Sequence, residues 1–227
     1  MNRAIVLLLA CPLLAAGPPS GFPFADESLS YTIVWPSGLS LGEAKLKAVR
    51  GPDTWNFDLT IDASVPGYPV NDAYHSESSA NLCAAAFSRT ELHGTKRTKE
   101  QTAIADGKAV RETIGGGGKT DIAVDACAHD ALTFLFYARR ELGQGRVPSS
   151  EKILFGGAYP IQLDYTGEQT ITVGDKPAQA DRVFCTVTGR GTQKYSFEVF
   201  FARDAARTPL LIRAPFALGS ISMELVR

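Results

Sequence analysis

From Trp55 to Ala63 the side chains alternate without a break: Trp55, Phe57, Leu59, Ile61 and Ala63 are apolar, and Asn56, Asp58, Thr60 and Asp62 are polar. Successive side chains of a β-strand point to opposite faces, so this run makes one dry face and one wet face, and no helical period fits it. The same two-residue period predicts strands from Leu29 to Trp35, Glu43 to Val49, Ile161 to Thr166, Val183 to Val187, Tyr195 to Ala202, Leu210 to Arg213 and Ser220 to Val226. Turn chemistry separates them, as at Pro36-Ser37-Gly38, Gly51-Pro52-Asp53, Asp106-Gly107 and Gly174-Asp175-Lys176-Pro177. One-sided strands at this spacing predict a mainly β fold over residues 22–227: a single-domain curved antiparallel sheet, barrel-like or half-barrel. Parallel α/β architecture is disfavoured.

One helix interrupts the pattern, at about residues 130–142. Asp130 is a good N-cap, Ala131 to Leu142 holds no Gly or Pro, Arg139 and Arg140 suit the negative end of the dipole, and Gly143 is placed to end the helix. Leu132, Phe134, Leu135, Phe136, Tyr137 and Ala138 cover most of its girth, so the helix is expected to be buried as a plug or lid of the sheet. The stretch from Ser88 to Ile114 is richer in charge and has Asp106-Gly107 at a hairpin position; it reads as a solvated edge hairpin whose charges oppose edge-to-edge association.

Asn2 and Arg3 precede an apolar segment from Ala4 to Ala16, which is short for a membrane span and is followed by Gly17-Pro18-Pro19. Residues 1–16 are therefore read as a secretory signal peptide, with a periplasmic or other envelope destination; Leu8-Leu9-Ala10-Cys11 offers the alternative of a lipoprotein anchored at Cys11. An oxidising compartment makes the remaining thiols informative. Cys185 sits in a β-type run, where a thiol acts as a small buried hydrophobe, which leaves Cys83 and Cys127 as the disulfide.

The 23 Lys+Arg against 24 Asp+Glu show no bulk charge that would attract nucleic acid or an anionic membrane surface, and no apolar run after the N-terminus is long enough to span a bilayer. Gly115 to Thr120 ends like a phosphate loop, but Thr113 stands where glycine is needed and Asp121-Ile122-Ala123-Val124 continues as a strand. Cys127-Ala128-His129-Asp130 places a thiol beside an imidazole at a helix start; with Cys127 bridged, His129 is an exposed flank and Asp130 a cap. Arg203 and Arg207 lie in a charged turn before Pro209. No metal-ligand spacing, no cofactor motif and no catalytic residue set emerges.

Several motifs in order resemble a known family: Phe22-Pro23-Phe24, Glu27-x-Leu29-x-Tyr31, Gly42-x-Ala44, Asp130-Ala131-Leu132 with Tyr137-x-Arg139, Asp204-x-x-Arg207-x-Pro209, and Gly219-Ser220-Ile221-x-x-x-Leu225. Together they resemble exported, periplasmic bacterial proteins known as a domain of unknown function. The resemblance spans nearly the whole mature chain, implies an envelope protein built on a curved antiparallel sheet, and carries over no catalytic residue. The expected function is non-enzymatic binding, on the concave face, of a lipid or other apolar or amphipathic ligand, or of an envelope partner protein. Phe57, Ile161, Leu132 and Phe136 are the expected ligand-lining residues. The alternatives are a hydrolase or glycan-modifying enzyme with carboxylates from separate strands, and a structural interaction domain.

Overall fold

Two antiparallel meanders share one sheet in the computed structural model, which describes residues 21–65, 68–189, 191, 193–216 and 219–226. The first meander comprises β1 (Glu27–Val34), β2 (Ser40–Arg50), β3 (Thr54–Val65), β4 (Tyr68–Ser79), β5 (Ala84–His93), β6 (Lys96–Ala105), β7 (Lys108–Thr113) and β8 (Lys119–Ala123). A two-residue strand β9 (His129–Asp130) leads into helix α1 (Ala131–Gly143). The second meander follows as β10 (Glu151–Leu154), β11 (Ala158–Val173), β12 (Lys176–Thr188), β13 (Lys194–Ala202), β14 (Pro209–Phe216) and β15 (Gly219–Leu225). Pairing of β1 with β15, Tyr31 opposite Leu225, joins the two into one fifteen-stranded sheet with β8 and β9 at its ends. Every pairing is antiparallel except β9 with β10.

The sheet is curved and unclosed. Its far ends meet by packing rather than through a ladder: Ala109, Ile104 and Ile122 of the first meander cover Ala128, Leu154 and Ala158. The Ala84 amide donates to the Ala128 carbonyl at 2.8 Å, and the Cys83–Cys127 disulfide fixes the same seam. Because the meander alternates direction, its connections fall at two ends. Residues 35–39, 94–95, 114–118 and 155–157 lie at one end, the mouth, with the strand ends at Val65, Tyr68, Thr188, Lys194, Phe216 and Gly219; residues 51–53, 80–83, 106–107, 124–128, 174–175 and 203–208 lie at the other, the base.

Helix α1 runs inside the curve and is buried on two sides. Leu132 and Phe136 pack with Phe22, Trp55 and Phe57 in the core of the first meander, whereas Phe134, Ala138 and Leu142 pack with Ile153, Ile161, Val183 and Phe201 of the second. At its start the Asp130 carboxylate accepts from the Leu132 and Thr133 amides at 2.8 and 3.1 Å, and the Thr133 hydroxyl accepts from the Asp130 amide at 2.8 Å, which completes a capping box.

Three expectations need correction. The helix does not stop at Gly143; that residue is its last turn, Gln144 is the C-cap, and the left-handed position is Gly145. His129 is not an exposed flank. It is buried, stacks on Tyr137 at 4.5 Å and meets Glu151 at 2.7 Å. The charged stretch from Ser88 to Ile114 is not a solvated hairpin: it spans β5, β6 and β7, and Glu91 and Glu100 are buried on the inner face. The segment read as a signal, including Cys11, lies outside the described residues.

Candidate ligand-binding cavity

Above helix α1 the sheet encloses an open hollow of about 980 Å³. Its second-meander wall is apolar because the alternating strands turn Ile161, Leu163, Val187, Phe197 and Val199 inward. Helix α1 forms the floor with Leu132, Phe134, Leu135 and Ala138, and Leu59 and Ile61 of β3 face them. A 13-residue helix is about 20 Å long; Phe136 turns toward the base while Phe134 stays in the floor, and the space on the mouth side is left unfilled.

The remaining wall is charged, and it comes from the stretch misread as a solvated edge. Lys96, Thr98 and Glu100 point inward along β6, from an exposed position near the mouth to a buried one. Glu100 receives Arg89 Nη2 at 2.8 Å and lies 3.6 Å from Arg111 Nη1; Arg89 also reaches Glu91 at 3.1 Å. Arg111 Nη1 donates to the Gly156 carbonyl at 2.6 Å, which ties β7 to the β10–β11 turn across the mouth. Gly156 has φ +67°, and a Cβ there would lie 2.6 Å from Arg89 Nη2, so the turn needs glycine for its conformation and for the close approach of the guanidinium.

Next to this network the Tyr74 hydroxyl lies 3.1 Å from Asp72 Oδ2 and 3.0 Å from Glu91 Oε1. Burial pushes this phenol far above its ordinary range, and the negative charges of Glu91 and Asp72 push the same way, so Tyr74 keeps its proton. It serves the two carboxylates one at a time. His93 Nε2 lies 3.0 Å from the same Asp72 oxygen. These acids are thus engaged by Arg89, Arg111, Tyr74 and His93.

Cys185 faces the cavity as a free, buried thiol whose pKa is pushed up to about 12, by burial first and by the nearby Asp164 charge second. At neutral pH it is therefore an apolar wall atom and not a nucleophile. Of the four residues expected to line a ligand, Ile161 and Leu132 border the hollow. Phe57 and Phe136 do not; they stack on each other at 4.0 Å and are sealed in the base beneath the floor. Alternation told which face they share but not their depth along the strand and helix. Among the described residues no group of three or more His, Cys, Asp or Glu is placed to hold a metal ion, and the glycines 115–118 form an exposed turn leading into strand β8.

The family described as "Protein of unknown function (DUF3108)" matches residues 30–226. The chain belongs to that family. No curated protein matches it. A crystal structure of a β-barrel-like protein of the domain of unknown function DUF1849, from Brucella abortus, superposes on this DUF3108 chain with a TM-score of 0.62. The identity is 11%, and the match covers 89% of this chain and 96% of the other, so what the two share is the fold.

The motifs that carried the family resemblance have structural work in this DUF3108 chain, and most of them meet at the base. Arg139 of α1 makes a two-pronged pair with Glu27, at 2.6 and 2.8 Å, and its Nε donates to the carbonyls of Ala206 and Arg207 at 3.1 and 3.2 Å. Its guanidinium also lies about 5 Å from the rings of Phe22 and Phe136, at 5.2 and 5.1 Å. The Tyr31 hydroxyl donates to the Pro209 carbonyl at 3.0 Å, Arg207 pairs with Asp181, and Asp204 accepts from the Thr208 amide at 3.1 Å. Arg203 pairs with Glu168 at 2.6 Å, so neither arginine of this turn faces the cavity. Gly42 is required because a Cβ would meet the Asp62 carbonyl at 2.1 Å. Sequence order showed Glu27, Tyr31, Arg139, Asp204 and Arg207, but only the fold shows that they lock one end of the sheet and leave the other open.

Proposed function

We propose that this protein is an exported envelope protein that binds the apolar chain of an amphipathic molecule in the hollow above α1. One observation carries the reading: about 980 Å³ of open space lined by Ile61, Leu135, Ile161, Leu163, Phe197 and their neighbours. That volume is at the upper end of the roughly 300–1,000 Å³ typical of small-molecule sites, and such sites are mainly apolar with a few polar groups that fix orientation. Here Lys96, Thr98, Arg89 and Arg111 supply those groups on one wall. Moving a methylene from water into such a lining is worth about 0.8 kcal/mol, so ten methylenes bring about 8 kcal/mol gross, the free energy of a micromolar Kd. Ordering costs reduce this, and chains shorter than about ten carbons are expected to bind more weakly than micromolar. The engagement of Glu91 and Glu100 by guanidinium groups favours binding over acid–base hydrolysis.

A fluorescent long-chain fatty acid titrated into the purified protein tests the reading. Saturation at micromolar concentration is expected, with loss of the signal in Val187→Trp, which puts an indole into the half-buried rim of the hollow. Native mass spectrometry of protein from envelope extracts should show co-purifying lipid. An unsaturable probe together with a ligand-free spectrum overturns the proposal.

A further inference from the structure

Overall charge is balanced, but the two ends of the sheet are not alike. Among the described residues, the mouth connections and the strand residues that flank them contain no Asp or Glu. Five base connections carry one aspartate each: Asp53, Asp106, Asp125, Asp175 and Asp204. Lys96, Lys119 and Lys194 stand exposed at the mouth, with Arg97 beside Lys96. Lys119 pairs with Glu112 at 3.1 Å, whereas Arg97 and Lys194 form no ion pair among the described residues.

The mouth also displays apolar side chains. Leu39, Tyr68, Ile114 and Tyr195 are 60%, 49%, 38% and 54% exposed, and each lies in, or within two residues of, a different connection at the mouth. Tyrosine beside cations is the composition of a surface that rests at the headgroup level of a bilayer, where the ring is half in apolar surroundings and the ammonium meets phosphate.

We infer that the mouth of the sheet docks on an anionic lipid surface, with Arg97 and Lys194 toward the headgroups and Tyr68 and Tyr195 at the interface. Such a dock brings the hollow, which opens between these same connections, against the acyl region. The inference extends the cavity reading and is tested apart from it. An acidic protein surface would share the charge complementarity, but it would not call for exposed apolar groups spread over four separate turns.

Flotation with vesicles of phosphatidylcholine alone, or with added phosphatidylglycerol, is the test. Binding is expected to rise with phosphatidylglycerol and to fall with salt, because the attraction decays within a Debye length of about 10 Å at 0.1 M. A cation near such a surface contributes a factor of about five, so Arg97→Gln with Lys194→Gln should weaken partitioning about 25-fold. Lys108→Gln with Lys176→Gln, at the base, should leave it unchanged. Uptake of the fatty-acid probe from vesicle-free solution reads the hollow alone, and neither pair of substitutions should alter it. Equal binding to both compositions, no binding to either, or equal weakening by the base pair overturns the dock. Loss of probe uptake with vesicle binding intact refutes the cargo and leaves the dock standing.

Discussion

A fully buried guanidinium is costly unless its donors are used, and Arg139 uses them on Glu27 and on two carbonyls of the 203–208 turn. Arg139→Met is expected to cost about 3–5 kcal/mol, because Glu27 is left as a buried charge without its partner. Adding Glu27→Leu should recover part of that loss, since an apolar pair needs no compensation. Urea midpoints of the single and double variants check both statements. Asp130 makes a second prediction at this scale. Burial pushes its carboxyl above the ordinary 3.8, against the pull of the Ser76 hydroxyl and the Thr133 and Leu132 amides. A raised folded-state pKa means that the folded state holds the proton more tightly than the unfolded state. The stability from that group is fully present below pH 3.8 and is lost as pH rises through the raised value. Asp130→Asn still caps the helix, so the wild-type protein should lose stability relative to it as pH climbs from 3.8, read as diverging urea midpoints. Neither prediction was available from the sequence alone: Glu27 is 112 residues from Arg139, and Ser76 is 54 from Asp130.

Elements were legible where a single rule governed them. The one-sided alternation of β3 marks its inner face, and the cap at Asp130 marks the start of α1. The stretch covering β5–β7 was misread because alternation tells which side chains share a face and not which face is buried. The burial of Glu100 depends on Arg89 of the neighbouring strand and on Arg111 of the next, and no local pattern announces a pair formed across a ladder. The seam between the ends of the sheet was partly legible through cysteine arithmetic, which gave Cys83–Cys127 but not the packing of Ala109 and Ile122 over Leu154. The bridge closes a 44-residue separation. In the chain-entropy account its loss costs about 4 kcal/mol, so Cys83→Ala with Cys127→Ala should lower the urea midpoint accordingly. Peptide mapping without reduction should return the two cysteines in one fragment, with Cys185 free. A bridge to Cys185 would contradict the seam.

At the scale of the whole molecule, β1 pairs with β15, and the Tyr31 hydroxyl reaches the Pro209 carbonyl across 178 residues. Such a pairing leaves no local trace, so the sequence suggested a curved sheet without saying where it begins and ends or which end is plugged. The plug bears on the function proposed here: packing of Phe136 and Arg139 at the base leaves the hollow above the helix open to the proposed ligand. A ligand that fills it binds the folded chain and not the unfolded one, and stabilises the fold by about 2.7 kcal/mol at a hundredfold excess over Kd. For a chain of this size each kcal/mol raises Tm by about 2–4 °C, so a saturating long-chain amphiphile should raise it by about 5–10 °C. The shift should grow with chain length, because each methylene adds to the buried area, and it should vanish in Val187→Trp, whose own Tm serves as the reference. A shift of equal size in that variant would place the amphiphile on the outer surface and remove the hollow from the account.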